Sequence, residues 1–288
     1  MKKIPHLVRI GTCSWKYASW KGILYSEEVG NNYLAEYARH YDTVEIDQWF
    51  WSLFPGNKVV LPKPEVVGKY ISSVPKNFQF SVKVPNSITL THHYSQNKKI
   101  PLIKNPFFLS NELFDDFYHL LEPMKEHLAT LIFQFEYLNK KKMPDQKTFQ
   151  ENFSKFISHC PPGINYSVEI RNPNYLNEEY FSFLKSSDLS HVFLQGYYMP
   201  TIFSLYKKYR DFIENFVVIR LMGGDRSAIE EKSGGNWNQI WESKEEELDR
   251  LADMMKDLII KKVRLFVNVN NHYEGSAPLT IARIVSRL

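Results

Sequence analysis

Cysteine is scarce in this sequence of 288 residues, which contains only Cys13 and Cys160. Two cysteines are too few for a disulfide framework, and neither has the spacing of a metal-ligand set. Long apolar runs are also missing, since no stretch approaches the roughly 20 residues that a membrane span needs. The first residues, MKKIPHLVRIG, carry lysines but lack the apolar segment of a secretion signal. These absences predict a cytoplasmic protein without a membrane segment.

A strong charge of either sign is absent too. The chain has 36 lysine and arginine residues against 32 acidic ones, a formal net charge of +4. That balance is far from the basic surface of a dedicated nucleic-acid-binding protein, although it is compatible with an anionic ligand. No Gly/Ser-rich or Pro-rich linker divides the chain, so we expect one domain over residues 1–288.

Short runs rich in β-branched and aromatic residues alternate with helical patterns along the chain. The runs predict strands at 8–15, 43–50, 78–85, 129–136, 165–172, 190–196, 216–223 and 263–270. Helices are predicted at 31–41, 64–74, 111–128, 145–160, 177–188, 201–213, 242–262 and 276–287. Eight alternating units predict an α/β fold, a TIM-type (β/α)8 barrel. The alternative is an open doubly wound sheet, but no glycine-rich phosphate turn follows the first strand.

Each predicted strand has two faces, because successive side chains point to opposite sides. One face is largely apolar and should pack against the helices. The other turns polar toward the carboxyl end and should point into the barrel, at the end where TIM barrels hold their active sites. The inward sets are predicted to be Ile10-Thr12-Ser14, Thr43-Glu45-Asp47, Ser81-Lys83, Ile132-Gln134-Glu136, Ser167-Glu169-Arg171, His191-Phe193-Gln195, Val218-Arg220 and Phe266-Asn268-Asn270. Cys13 falls on the opposite face, where it would serve packing.

This polar layer predicts a site at the carboxyl-end mouth of the barrel. Glu45, Glu169 and Lys83 are the catalytic candidates, since carboxylates beside cations or beside each other can exchange protons. Lys83 has the alternative chemistry of a Schiff base. The cations predicted at the barrel mouth, Lys83, Arg171 and Arg220, are suited to bind a phosphate or carboxylate group. The predicted substrate-binding residues are Arg171, Arg220, Asn268, Asn270, Asn271, Asp47 and Trp15. The competing interpretation is an internal salt-bridge lattice with a structural role.

Seven blocks of the sequence, taken in order, are GTCSWKYASWKGILY (11–25), TVEIDQWFW (43–51), FSVKVPNSIT (80–89), LIFQF (131–135), VEIRNPNY (168–175), VIRLMG (218–223) and VNVNNHYEGSAP (267–278). Together these blocks resemble the YecE-like family of TIM-barrel proteins, described as domain of unknown function 72. Two positions depart from the family's usual pattern: Asp47 replaces an Asn and Trp51 replaces a Tyr. The family's histidine after Ile88-Thr89 is not assigned, with His92 and His93 as the nearby candidates. The resemblance implies the barrel fold and no established reaction.

The residues favour an enzyme that uses acid–base chemistry on a small polar, anionic or sugar-like substrate. The alternatives are a protein that acts on nucleic acid, like a DNA-repair endonuclease, and a non-catalytic ligand-binding barrel. A metal centre would draw on His272, Asp47, Glu45, Glu169 and one of His92 or His93. Because no HxH or HExxH pair is present, no metal ligand is assigned. No motif implies a cofactor.

Two expectations concern how the site is built. An open, hydrated mouth would allow water to screen its cations, so that Glu169→Gln should cost almost no stability. Ser276 is expected to cap the last helix, with Pro278 in its first turn. TIM barrels often bind phosphate at such a helix N-terminus after the eighth strand.

Overall fold

The computed structural model describes residues 5–28, 30–94 and 101–288. Its strands are β1 Val8–Thr12, β2 Thr43–Ile46, β3 Leu53–Phe54, β4 Lys58–Val59, β5 Gln79–Lys83, β6 Leu128–Phe135, β7 Tyr166–Ile170, β8 Leu189–Gly196, β9 Phe216–Gly223 and β10 Arg264–Val269. Its helices are α1 Tyr33–Tyr37, α2 Pro64–Ser72, α3 Asn86–Thr89, α4 Asn111–Leu121, α5 Gln146–Ile157, α6 Glu178–Ser186, α7 Ile202–Tyr209, α8 Arg226–Ser233, α9 Glu245–Ile260 and α10 Ala277–Arg287. Over these residues, no helix combines the length and apolar character needed to cross a membrane.

Eight of the strands form one parallel sheet that curls into a nearly closed barrel. Their order is β1-β10-β9-β8-β7-β6-β5-β2, and β3 and β4 form a separate antiparallel hairpin. Helices connect the successive barrel strands, as parallel pairing requires. The predicted α/β barrel and all eight of its predicted strands are therefore confirmed.

The barrel has a seam where β1 and β2 lie side by side without ladder pairing. The buried Tyr37 hydroxyl of α1 fills that gap. It accepts a hydrogen bond from the backbone N–H of Thr12 at 2.9 Å and donates one to the Thr43 carbonyl at 3.0 Å. Gly11 allows the close approach, because a Cβ there would lie 2.1 Å from the Thr43 carbonyl oxygen. A side chain thus replaces the missing strand-to-strand bond.

The sequence prediction has the wrong face inward in two strands. In β1, Ile10 packs with the helices and Thr12 contacts Tyr37, so Cys13 faces the interior instead. In β8, the residues that face the helices are His191, Phe193 and Gln195; Val192 and Leu194 point inward. The prediction placed the polar side chains of β8 inward, but they have hydrogen-bond partners on the helices. His191 bonds Tyr180, and Gln195 bonds Glu247.

Several boundaries and short elements also differ from the prediction. The hairpin and the helices α3 and α8 have no counterpart in it. The helix expected over 111–128 ends at Leu121, and a 3-10 helix follows over Glu122–His127. Pro123 explains the break, because it lacks the N–H that an α-helix would use.

The barrel interior is filled in layers. Its lower layer is an apolar plug of six buried residues. The plug fills the amino-terminal side of the barrel, and the charged side chains above it lie toward the carboxyl-end mouth. The plug consists of Ala129, Ile132, Val192, Phe216, Val218 and Phe266.

Candidate functional site

Arg220 is the centre of a buried charged layer above the apolar plug. Its guanidinium donates to both oxygens of Glu45, through Nε at 2.8 Å and Nη2 at 2.7 Å. Nη1 donates to Glu169 and, at 3.3 Å, to Gln134. Both carboxylates are fully buried, and Arg220 is only 1% exposed. We call Arg220, Glu45 and Glu169 the Arg220 cluster. Burial on this scale is tolerated only because every charge is paired in a bidentate or shared bond.

A second arginine completes the pairing of Glu169. Arg171 Nε donates to Glu169 Oε1 at 2.9 Å, and Nη2 lies 2.8 Å from the same oxygen. Burial alone would raise the pKa of Glu169, but the positive charges of Arg220 and Arg171 outweigh it and hold that pKa at about 2. Arg171 keeps a solvent-facing edge, with 27% of its side chain exposed.

Lys83 and Asp47 lie in the same electrostatic environment but have no such partners. Among the described residues, neither charged group forms an ion pair or a side-chain hydrogen bond. Lys83 is 7% exposed, and its ammonium nitrogen lies 3.8 Å from the Phe50 ring centroid. Burial and the nearby Arg220 lower the pKa of Lys83 to about 8. Burial and the nearby Glu45 raise the pKa of Asp47 to about 6.

Polar atoms without partners also occur inside the barrel. Asn268 donates to Glu45 at 3.1 Å, but its own Oδ1 is buried and accepts no hydrogen bond within the described chain. The buried Ser81 hydroxyl is likewise unpaired in that part of the chain. Unsatisfied buried groups are uncommon in native proteins, and they mark places where water or a ligand group binds.

A small apolar cover lies over this layer. It is formed by Cys13, Leu194 and Met222, and the Cys13 sulfur is 3.8 Å from that of Met222. Burial and the negative charge of Glu45 raise the pKa of the Cys13 thiol well above its usual value. Cys13 is therefore an uncharged wall residue of the site. It lies on the face of β1 opposite to the one predicted from the sequence.

The loop after β8 packs on the cover in a strained conformation. Gly196, Tyr197 and Tyr198 have φ values of 127°, 53° and 62°. The two tyrosines occupy the left-handed region that bulky residues rarely adopt. The Tyr197 ring lies 4.7 Å from the Arg171 guanidinium carbon. Strain of this kind clusters at binding sites and lids.

Three residues predicted to bind substrate, Asn270, Asn271 and Trp15, contact residues outside the Arg220 cluster. Asn270 accepts from the backbone N–H of His272 at 3.0 Å, and Asn271 accepts from that of Ala277 at 2.9 Å. Asn271 therefore caps α10, while the side chain expected to do so, Ser276, makes no capping bond. Trp15 packs edge-on against Tyr70, in a separate cleft outside the barrel.

The histidines considered as metal ligands do not converge on the Arg220 cluster. His272 bonds the Glu230 carboxylate at 3.1 Å, His92 bonds Thr91, and His93 bonds Asn57. Across the described residues, no three His, Cys, Asp or Glu side chains form a group that could hold a metal ion.

Comparisons with known proteins agree with the fold. A family model described as "Protein of unknown function DUF72" matches residues 9–288. The chain is 23% identical over 170 residues to UPF0759 protein YecE of Escherichia coli K12, an alignment that covers 59% of this chain. The chain spans about half the length of that curated relative, since the alignment covers 50% of it.

Two solved structures of the same family extend the likeness. A DUF72 family protein from Enterococcus faecalis V583 superposes with a TM-score of 0.69 at 19% identity, covering 98% of this chain and 95% of that one. Another, from Thermotoga maritima MSB8, gives 0.65 at 18% identity and covers 98% of both chains. At these identities the likeness establishes the barrel and says nothing about the reaction.

Proposed function

The chain belongs to the DUF72 family, and we propose that it is an enzyme that transfers protons on a small polar substrate carrying an anionic group. This proposal rests on one observation: some charged side chains of the site form ion pairs, whereas others do not. Arg220 pairs with both Glu45 and Glu169, and Arg171 completes the pairing of Glu169, whereas the charged groups of Asp47 and Lys83 form no ion pair in the described chain. Unpaired charged groups at a barrel's carboxyl end are costly unless a ligand uses them.

The roles follow from the pKa values. Asp47, with its pKa raised to about 6, is suited to act as a general base near neutral pH, and Lys83, at about 8, as the acid. Glu169 is a poor proton acceptor because its pKa is held at about 2. Glu45 and Glu169, the catalytic candidates from the sequence, then act as positioning residues that hold Arg220. The exposed edge of Arg171 is the group that would bind the substrate's anion.

Substrate entry requires the cover to move. Tyr197 and Met199 pack against the residues that cover the site, Cys13, Leu194 and Met222. The strained loop from Gly196 to Met199 is the segment whose displacement would open the mouth. Closure over the substrate would exclude water and strengthen the electrostatic interactions inside.

Proton transfer can be tested without knowing the natural substrate. The purified protein is incubated in D₂O with sugar phosphates, 2-hydroxy acids and 2-oxo acids, and deuterium incorporation next to a carbonyl is followed by NMR. We expect incorporation with the wild type and its loss in Asp47→Asn, while Asp253→Asn, an exposed control on α9, retains it. Absence of exchange in every compound, or equal exchange by Asp47→Asn, would reject the proposal.

A second candidate is nucleic-acid binding, which one surface feature favours. Trp51 and Tyr94 are 59% and 62% exposed, and their ring centroids are 5.6 Å apart. Exposed rings of this kind stack on bases. Binding of a single-stranded DNA oligomer that weakens steeply with salt and is reduced by Trp51→Ala would support this function. Undetectable binding at low salt would eliminate it.

A further inference from the structure

A cleft of about 430 Å³ lies outside the barrel, between the segment after β1 and the helices α1 and α2. We call it the Trp15 cleft. Its volume is within the range of small-molecule sites. Its lining residues include neither the Arg220 cluster nor Asp47 and Lys83, so the cleft is distinct from the proton-transfer site. The lining residues used below are Trp15, Lys16, Asn32, Gln48, Lys69 and Tyr70.

One wall of the cleft is an ordered pair of aromatic rings. Trp15 meets Tyr70 edge-on at 5.1 Å and 85°, and Trp49 stacks behind Tyr70 at 5.5 Å and 10°. The Tyr70 hydroxyl accepts a hydrogen bond from Gln48 at 2.6 Å, so its own proton is available to donate to a ligand. This wall offers an apolar surface to a ring and a fixed donor at its edge.

The charged side chains that line the Trp15 cleft are all positive among the described residues. Lys16 and Lys69 are exposed, and the described residues that line the cleft include no acidic side chain. Without a carboxylate to pair with, the two ammonium groups remain available to an anion. Lysine binds phosphate as a point charge, without the planar fork that arginine offers a carboxylate.

One polar side chain connects the two helices that flank the cleft. Asn32 donates to the Ser73 hydroxyl at 3.0 Å, which ties the start of α1 to the end of α2. The same side chain caps α1 by accepting from the Ala35 N–H. Because both helices are fixed by one residue, binding would require little reorganisation.

We propose that the Trp15 cleft binds a phosphorylated sugar or nucleotide. The ring would lie against Trp15 and Tyr70, the Tyr70 hydroxyl would donate to a polar ring atom, and the phosphate would interact with Lys16 and Lys69. This site shares no residue with the proton-transfer site, so either function can fail alone.

Isothermal titration calorimetry at low salt, with AMP, ribose 5-phosphate and inorganic phosphate, tests the assignment. AMP or ribose 5-phosphate should bind more tightly than phosphate, and which of the two binds better identifies the kind of ring. Lys16→Gln combined with Lys69→Gln should weaken binding about tenfold, since two exposed charge contacts are lost. Tyr70→Phe should weaken it as well.

Two controls make the result decisive. Lys63→Gln combined with Lys76→Gln removes two exposed lysines that do not line the cleft and should leave affinity unchanged. Asp47→Asn should also bind normally. The assignment is overturned if neither ring compound binds at millimolar concentration, if phosphate alone binds equally well, or if the control pair weakens binding as much as the cleft pair does.

Discussion

Asp47 and Lys83 should give the protein a pH-dependent rate. If Asp47 must be ionised and Lys83 protonated, activity rises with pH through about 6 and falls through about 8, the pKa values of the two groups. Lys83→Met should remove the descending limb of kcat/KM against pH and leave the ascending one. A descending limb unchanged in this variant would assign the acid role to another group.

Asp47 should also lower stability at neutral pH, and the sign can be worked out. Its pKa is about 6 in the folded protein, above the roughly 3.9 of an unfolded aspartate. The folded state therefore binds more protons, and stability present below about pH 4 is lost as the pH rises through about 6. Asp47→Asn should raise the free energy of unfolding by about 1–2 kcal/mol at pH 8 and leave it nearly unchanged at pH 4. Urea unfolding at both pH values measures this; an equal gain at each would contradict it.

Glu169 should behave in the opposite way. The sequence suggested an open, hydrated mouth and a nearly neutral Glu169→Gln change, but Glu169 is fully buried between Arg220 and Arg171, so that expectation of hydration is wrong. Removing its charge leaves buried cations uncompensated, which costs about 3–5 kcal/mol. Denaturant unfolding of Glu169→Gln beside the exposed control Glu151→Gln measures the loss. A change below about 1 kcal/mol would mean that water reaches the cluster.

At the scale of elements, the seam between β1 and β2 depends on one hydroxyl. Tyr37→Phe keeps the ring but leaves the Thr12 N–H and the Thr43 carbonyl without their partner, which should cost about 1–3 kcal/mol. Tyr137→Phe, on a 57% exposed tyrosine, is the matched control and should be neutral. Chemical denaturation compares the two. Equal stability of both variants would show that the strands close the seam without the tyrosine.

The turn after β8 should tolerate no side chain at Gly196. Its φ is 127°, and a Cβ would lie 1.9 Å from the Gly223 carbonyl oxygen, so Gly196→Ala should lose about 2–3 kcal/mol. Gly68 of α2 has open space where a Cβ would project, with no atom within 4 Å, and Gly68→Ala should gain about 0.5–1 kcal/mol. Thermal unfolding of both variants measures the predicted loss and the predicted gain of stability. A stable Gly196→Ala would mean that the loop adopts another conformation.

At the scale of the whole molecule, the sequence was informative where one physical signal dominated. Strand alternation and apolar runs predicted the barrel, and inward alternation in six strands brought Glu45, Glu169 and Arg220 together. Alternation failed in β1 and β8, where polar residues such as His191 are satisfied by helices. No local pattern could predict that Tyr37 bridges the seam or that Asn271 replaces Ser276 as a cap, because each contact joins segments that only the closed barrel brings together.

One whole-molecule expectation, a single domain over residues 1–288, stays a prediction. A continuous ladder runs through all eight strands, and the main apolar core includes residues from β1 through α10. Loss of any one strand would expose both the plug and this core, so we expect one cooperative unfolding transition. Tryptophan fluorescence and far-ultraviolet circular dichroism should give the same urea midpoint, and Tyr37→Phe should shift both equally. The fluorescence signal is weighted toward the first third of the chain, which holds Trp15, Trp20, Trp49 and Trp51, so separate midpoints would reveal an amino-terminal part that unfolds independently.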